Sequence, residues 1–166
     1  MSRSITGSGG SRLWHSAFVV AYRAIRLLDP VIRAAWRRDV PGLGRTIDLV
    51  VTGRRSGRRR HTLLTMLSAD DTWYIGHPNG DTDWTRNLEA ARGAEIRASD
   101  GSANAVTGLR LRDGPERSSV VALTASQQPF PANILYSLAG AHIQAVGVYF
   151  RLERRRPDST SATQTA

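Results

Sequence analysis

The 166-residue sequence contains no cysteine and no lysine. Without cysteine there is no disulfide framework, no thiol nucleophile, no iron–sulfur cluster and no thiolate zinc site. All 23 basic side chains are arginine. The phosphate-binding loop of the Walker type needs its lysine, and Schiff-base chemistry needs an amine, so both classes are excluded. No stretch approaches the roughly 18 consecutive apolar residues of a membrane span. The N-terminus lacks an apolar run followed by a small-residue cleavage site, so the expected location is the cytoplasm. The four histidines, His15, His61, His77 and His142, show no metal-ligand spacing, and no metal is expected. Nucleophile-elbow, dinucleotide-fingerprint and paired-carboxylate patterns are also missing.

Hydrophobic residues make up 40% of the chain and charged residues 22%, which excludes wholesale disorder. The length fits one domain. The net charge of +9 is unevenly placed. Residues 1–60 carry 13 arginines against Asp29, Asp39 and Asp48, whereas residues 61–166 carry 10 against 11 acids. A polyanionic partner should therefore meet the N-terminal third.

Residues 1–11 and 157–166 are rich in small polar residues and read as disordered tails. Residues 12–40 form a helical segment, with Trp14, Phe18, Tyr22, Ile25, Leu28, Ile32 and Trp36 at helical spacing. Pro30 is expected to break this helix near Asp29, with Asp29 capping a second piece. Its arginines lie mostly off the apolar stripe. Such a helix either packs on the domain or lies on an anionic membrane.

From residue 45 to 153 the pattern is that of a small α+β domain. Strands are expected at Thr46–Thr52, His61–Ser68, Thr72–His77, Ala94–Ser99, Ala103–Arg112 and Ile143–Glu153. Helices are expected from about Trp84 to Arg92, capped by Thr82 or Asp83, and from Pro115 to about Ser126. The short links demand antiparallel pairing, and six strands in so small a domain should close into a barrel covered by helices.

Two segments carry the chemistry. Between the first two strands stands Gly53-Arg54-Arg55-Ser56-Gly57-Arg58-Arg59-Arg60. Glycines let backbone amides converge, serine donates, and guanidinium forks grip phosphate or carboxylate. The bland alternative is a solvated basic turn. The second segment is His77-Pro78-Asn79-Gly80 leading to Trp84-Thr85-Arg86-Asn87-Leu88. Trp84, Asn87 and Leu88 share one helical face, and an amide on an apolar face needs partners. Asn87 either ties down a neighbouring loop or lines, with Trp84, a pocket for a flat polar ring.

Taken together, Leu49–Arg60, the Trp73-Tyr74-Ile75 strand and Asp83-Trp84-Thr85-Arg86-Asn87-Leu88 resemble the deazaflavin-dependent nitroreductase family, over roughly residues 12–153. The resemblance implies a split β-barrel that binds coenzyme F-420, an 8-hydroxy-5-deazaflavin with a phosphodiester and an oligoglutamate tail. By family position, Arg54, Arg55, Ser56, Gly57 and Arg60 would bind phosphate and tail. Asn79, Gly80, Trp84 and Asn87 would border the deazaflavin, and Tyr136 would contact substrate. The chain departs from the pattern in having Arg55 where lysine is frequent, Thr62-Leu63-Leu64 after the loop, and His142-Ile143-Gln144-Ala145-Val146 before the last strand.

The expectation is an oxidoreductase that passes hydride from reduced deazaflavin to a small quinone, enone or nitroaromatic. Alternatives are an FMN- or haem-binding barrel, or a basic module for nucleic acid or anionic membrane. Nucleic acid is not expected, because no helix-turn-helix or aromatic platform is present. Peripheral contact with the inner face of a membrane through the N-terminal helix, and a homodimer, complete the set.

Overall fold

The computed structural model describes residues 8–128, 130 and 132–155. The N-terminal residues before Ser8 and the tail 157–166 lie outside these. The order is α1 (Ser8–Arg37), β1 (Thr46–Thr52), β2 (Arg59–Thr65), β3 (Leu67–Ala69), β4 (Thr72–His77), α2 (Asp83–Ala91), β5 (Gly93–Arg97), β6 (Ala103–Arg110), α3 (Pro115–Gln127), α4 (Ala132–Leu138), α5 (Gly140–Val146) and β7 (Val148–Arg154). All strand pairs are antiparallel, in the order β2-β1-β5-β6-β7-β4-β3.

The two edge strands, β2 and β3, are consecutive in the chain, with only Met66 between them. Opposite edges of the sheet are thus joined covalently, and the sheet must curl round. The Met66 amide donates to the Arg45 carbonyl at 2.8 Å, which anchors the bend to the entry of β1. The sequence expectation of one strand over His61–Ser68 is corrected to two, because this stretch pairs with β1 first and β4 afterwards.

Alternation divides the side chains. Ile47, Leu49 and Val51, together with Val148, Phe150 and Leu152, point into the curled sheet. Trp84 and Leu88 of α2 enter the same core. Tyr74 and Tyr149 face outward, under α3, α5 and Phe18 of α1. Turns obey the sequence: Asp70 and Asp71 both adopt positive φ between β3 and β4, and Gly101 does so between β5 and β6.

Three expectations change. First, α1 runs unbroken through Pro30 and takes in Ser8–Ser11. Asp29 is no cap; it pairs with Arg33 one turn on at 2.9 Å. Trp36 Nε1 donates to the Thr46 carbonyl at 2.8 Å and pins the helix end to β1. Second, residues 132–146 form two short helices rather than entering the last strand at Ile143. Buried Arg117 donates to the carbonyls of Gln144 and Gly147, both at 2.8 Å, so a cation caps the end of α5. Third, the sheet formed by the described residues has seven strands, not six.

Close approach makes Gly76 obligatory: a Cβ there would lie 2.2 Å from the Tyr149 ring. Gly76→Ala should destabilise by about 1–3 kcal/mol through overpacking. Gly44→Ala, with open space around it, should be close to neutral. Thermal melts of both variants test this; equal melting temperatures would contradict the packing.

Candidate functional site

The arginine segment folds as a tight turn between β1 and β2. Its ends are closed by Gly53 N–H donating to the Arg58 carbonyl at 2.9 Å and Gly57 N–H to the Gly53 carbonyl at 2.8 Å. Gly57 has φ of 63°, which suits glycine. Ser56 Oγ accepts from the Arg58 amide at 3.4 Å.

The turn is fastened to α2 through one side chain. Asn87 Oδ1 accepts from the Arg54 amide at 3.1 Å and from Arg54 Nη1 at 2.9 Å. Arg54 also reaches the Asp83 carboxylate through Nη2 at 3.1 Å. Asn87 is 5% exposed, so these bonds act away from bulk water. Arg59 pairs with Glu95 at 2.6 Å, a carboxylate it shares with Arg97. Arg55, Arg58 and Arg60 are exposed and make no ion pair among the described residues.

The remaining expected residues divide. Trp84 is 8% exposed, with its ring 6.1 Å from that of Phe150 in the barrel interior. Asn79 and Gly80 line a cleft of about 590 Å³, whose other walls are Arg12, His15 and Ser16 of α1 with His142 and Val146 of α5. His15 Nδ1 and His142 Nε2 lie 3.1 and 2.9 Å from Asn79 Oδ1. His142 stacks on Phe18. Burial, with the charge of His15 second, holds the His142 pKa below the ordinary imidazole range. Tyr136 is half-buried, edge-on to Phe18 at 5.8 Å.

Arg12, His15, Ser16 and His142 escaped sequence reasoning. Their one signal is that Asn79 needs partners, and sequence spacing does not say which residues 63 and 64 positions away supply them. The loop before α2 is set by Arg110, which grips Asp81 through two bonds of 3.1 Å and Glu89 at 2.8 Å. Burial pushes Asp81 up, but these bonds outweigh it and its pKa lies below the ordinary range. A second cleft of about 770 Å³ lies between α1 and the β5–β6 turn. In it the buried Asp48 accepts from His61 Nδ1 at 2.7 Å and from Arg33 at 3.4 Å. Among the described residues no group of three His, Asp or Glu side chains is placed to hold a metal ion.

No family model matches the chain, and no curated protein matches it in sequence. Solved structures do. The haem storage protein HutZ of Vibrio cholerae superposes with a TM-score of 0.53 at 14% identity, covering 78% of this chain and 92% of that one. A Clostridium acetobutylicum protein related to general stress protein 26, of the pyridoxinephosphate oxidase family, gives 0.50 at 15% identity, covering 74% and 82%. An F420-H2 dependent reductase, FDR-A, gives 0.49 at 16% identity, covering 66% and 94%, a level that says nothing of function. The likeness is one of fold: the chain is a split β-barrel.

Two outcomes are expected. Asn87→Ala strands the Arg54 amide and guanidinium and should cost about 1–3 kcal/mol. At about 2–4 °C per kcal/mol the loss is visible in a melt, and Asn87→Asp, which keeps the acceptor, should recover most of it. His77, buried with Nδ1 3.1 Å from the Gly80 carbonyl oxygen and 3.3 Å from the Asn79 amide nitrogen, has its pKa lowered to about 4 by burial. The unfolded chain therefore binds the proton first. Stability should be full above the ordinary imidazole pKa of about 6.5 and fall from there down to about 4. His77→Gln should flatten that slope in denaturant titrations.

Proposed function

We propose that the chain is an oxidoreductase that binds reduced 8-hydroxy-5-deazaflavin coenzyme, coenzyme F-420, and serves hydride transfer to a small quinone, enone or nitroaromatic. The observation that carries this reading is the Asn87–Arg54 junction. It joins the two motif halves of the family resemblance into one unit while Arg55, Arg58 and Arg60 stay exposed. Those guanidiniums fit an anionic tail of phosphodiester and glutamates.

Arg55 and Arg60, with Ser56 and Gly57, would hold phosphate and tail. Arg54 acts differently: Asn87 and Asp83 occupy it, so it positions the turn. Trp84 works from inside the barrel, setting the seat of α2. Asn79 and Gly80 would border the ring system from the cleft shared with α1 and α5. A reduced deazaflavin, when bound, supplies the hydride. The chain's own work is orientation and exclusion of water, with the balancing proton from solvent or Tyr136. A location inside the cell and a homodimer belong to the same proposal. No helix among the described residues is long and apolar enough to cross a membrane.

Titration of the purified chain with oxidised coenzyme F-420 tests the reading. Arg55→Ala and Arg60→Ala should each weaken binding by about 1.5–3 kcal/mol, the range for charge-assisted hydrogen bonds. Unchanged affinity in both would remove the turn from the site. Absorbance of the protein as isolated separates the alternatives: two flavin bands would identify FMN and a Soret band haem, and either would overturn the deazaflavin assignment.

A further inference from the structure

Consecutive residues of a strand point to opposite sides, so on β2 His61 faces away from Arg60. Arg60 stands opposite Val51, which points into the barrel, whereas His61 stands opposite Val50 on the outer side. That outer side meets the cleft of about 770 Å³ between α1 and the β5–β6 turn. Its two acids are already engaged. Asp48, 6% exposed, accepts from His61 Nδ1 at 2.7 Å through Oδ2 and from Arg33 Nη1 at 3.4 Å through Oδ1. Glu95 gives one oxygen to Arg59 and the other to Arg97. What remains in the cleft is mostly donors. Arg37 makes no hydrogen bond or ion pair among the described residues. Arg97 meets Glu95 through Nε, which leaves its two terminal nitrogens. A carboxylate only accepts, so His61 carries a proton on Nδ1, and Nε2 on the far side of the ring is left for a ligand. Trp36, whose indole N–H is held by the Thr46 carbonyl, adds an apolar wall.

We propose that this cleft is a second binding site, separate from the arginine turn, for a small molecule that carries a carboxylate or phosphate on an apolar body. The guanidinium groups of Arg37 and Arg97 suit a group with two or three oxygens. His61 adds one shared proton: Nε2 accepts from a protonated phosphate oxygen or, as imidazolium, donates to an ionised one. Asp48 holds the ring so that Nε2 stays turned away from the barrel wall. The charge of the walls agrees, since Arg33, Arg37 and Arg97 outnumber Asp48 and Glu95. Asp39, beside the cleft, is engaged by Ser99 at 3.0 Å. A ligand held by Arg37 and Arg97 would tie α1 to β5. None of this rests on the deazaflavin reading.

The test is calorimetric titration of the full chain with phenyl phosphate, with benzoate and with neutral phenol, and thermal melts in parallel. Phenyl phosphate or benzoate should bind saturably and raise the melting temperature, and phenol should do neither. The tighter of the two anions names the oxyanion. Arg37→Gln should weaken binding about tenfold or more, the range for a charge-assisted hydrogen bond. It should keep the wild-type melt without ligand, because Arg37 bonds to no described residue. His61→Gln should weaken binding to a similar degree, and in the wild type the nitrogen resonance of His61 Nε2 should move as ligand is added. The absence of saturable binding overturns the proposal, and so does binding that both variants leave intact. Binding lost in the double variant Arg55→Ala, Arg60→Ala but kept in Arg37→Gln overturns it as well, since the anion then sits on the arginine turn.

Discussion

The chain passes from one edge of its sheet to the other across a single residue, Met66. Seven strands in the order β2-β1-β5-β6-β7-β4-β3 would otherwise form an open sheet with two exposed edges. Because β2 and β3 are neighbours in sequence, those edges are held together and the sheet curls. Curling creates an interior, and inward residues of β1 and β7 meet there with Trp84 and Leu88. The helix α2 is thereby fixed against the barrel. Close approaches follow, such as Leu88 against Gly108, where a Cβ would lie 2.8 Å from the leucine carbons.

The seat of α2 determines the turn. Asn87 emerges from the same helical face as Trp84 and Leu88, and its oxygen meets the Arg54 amide and guanidinium. Five arginines within residues 54–60 repel one another. The fold handles them unequally: Arg54 is absorbed by Asn87 and Asp83, Arg59 pairs with Glu95, and the other three face outward. A purely solvated basic turn needs no buried amide to shape it. Shaping one segment while leaving its charge uncancelled fits a turn that meets an anion.

Local signals were legible and distant ones were not. The two residues Asp70-Asp71, the strand Thr46–Thr52 and the helix starting after Thr82 were readable because turn chemistry, alternation and capping act over a few residues. The break at Met66 was invisible, since both halves are apolar and only their different partners separate them. Ile143–Val146 reads as strand by composition, yet it is helix, capped by an arginine from α3. Pro30 is a strong breaker locally, yet α1 runs through it to Trp36, whose indole is held by the Thr46 carbonyl. In the site, Asn87 on an apolar helical face signals a need for partners, and the structure supplies them as a tie to the loop at Arg54. The His15–Asn79–His142 cluster joins three distant segments and left no trace in spacing.

The account's central claim is that uncancelled arginines on a turn held by Asn87 grip the anionic tail of a deazaflavin. The most direct measurement compares the affinity of the chain for coenzyme F-420 with its affinity for the same deazaflavin lacking phosphate and tail, across a salt series. The account predicts at least about tenfold tighter binding of the full coenzyme at low salt, shrinking as salt rises and screening shortens to below about 8 Å. Equal affinities at low salt, or a preference indifferent to salt, would contradict it.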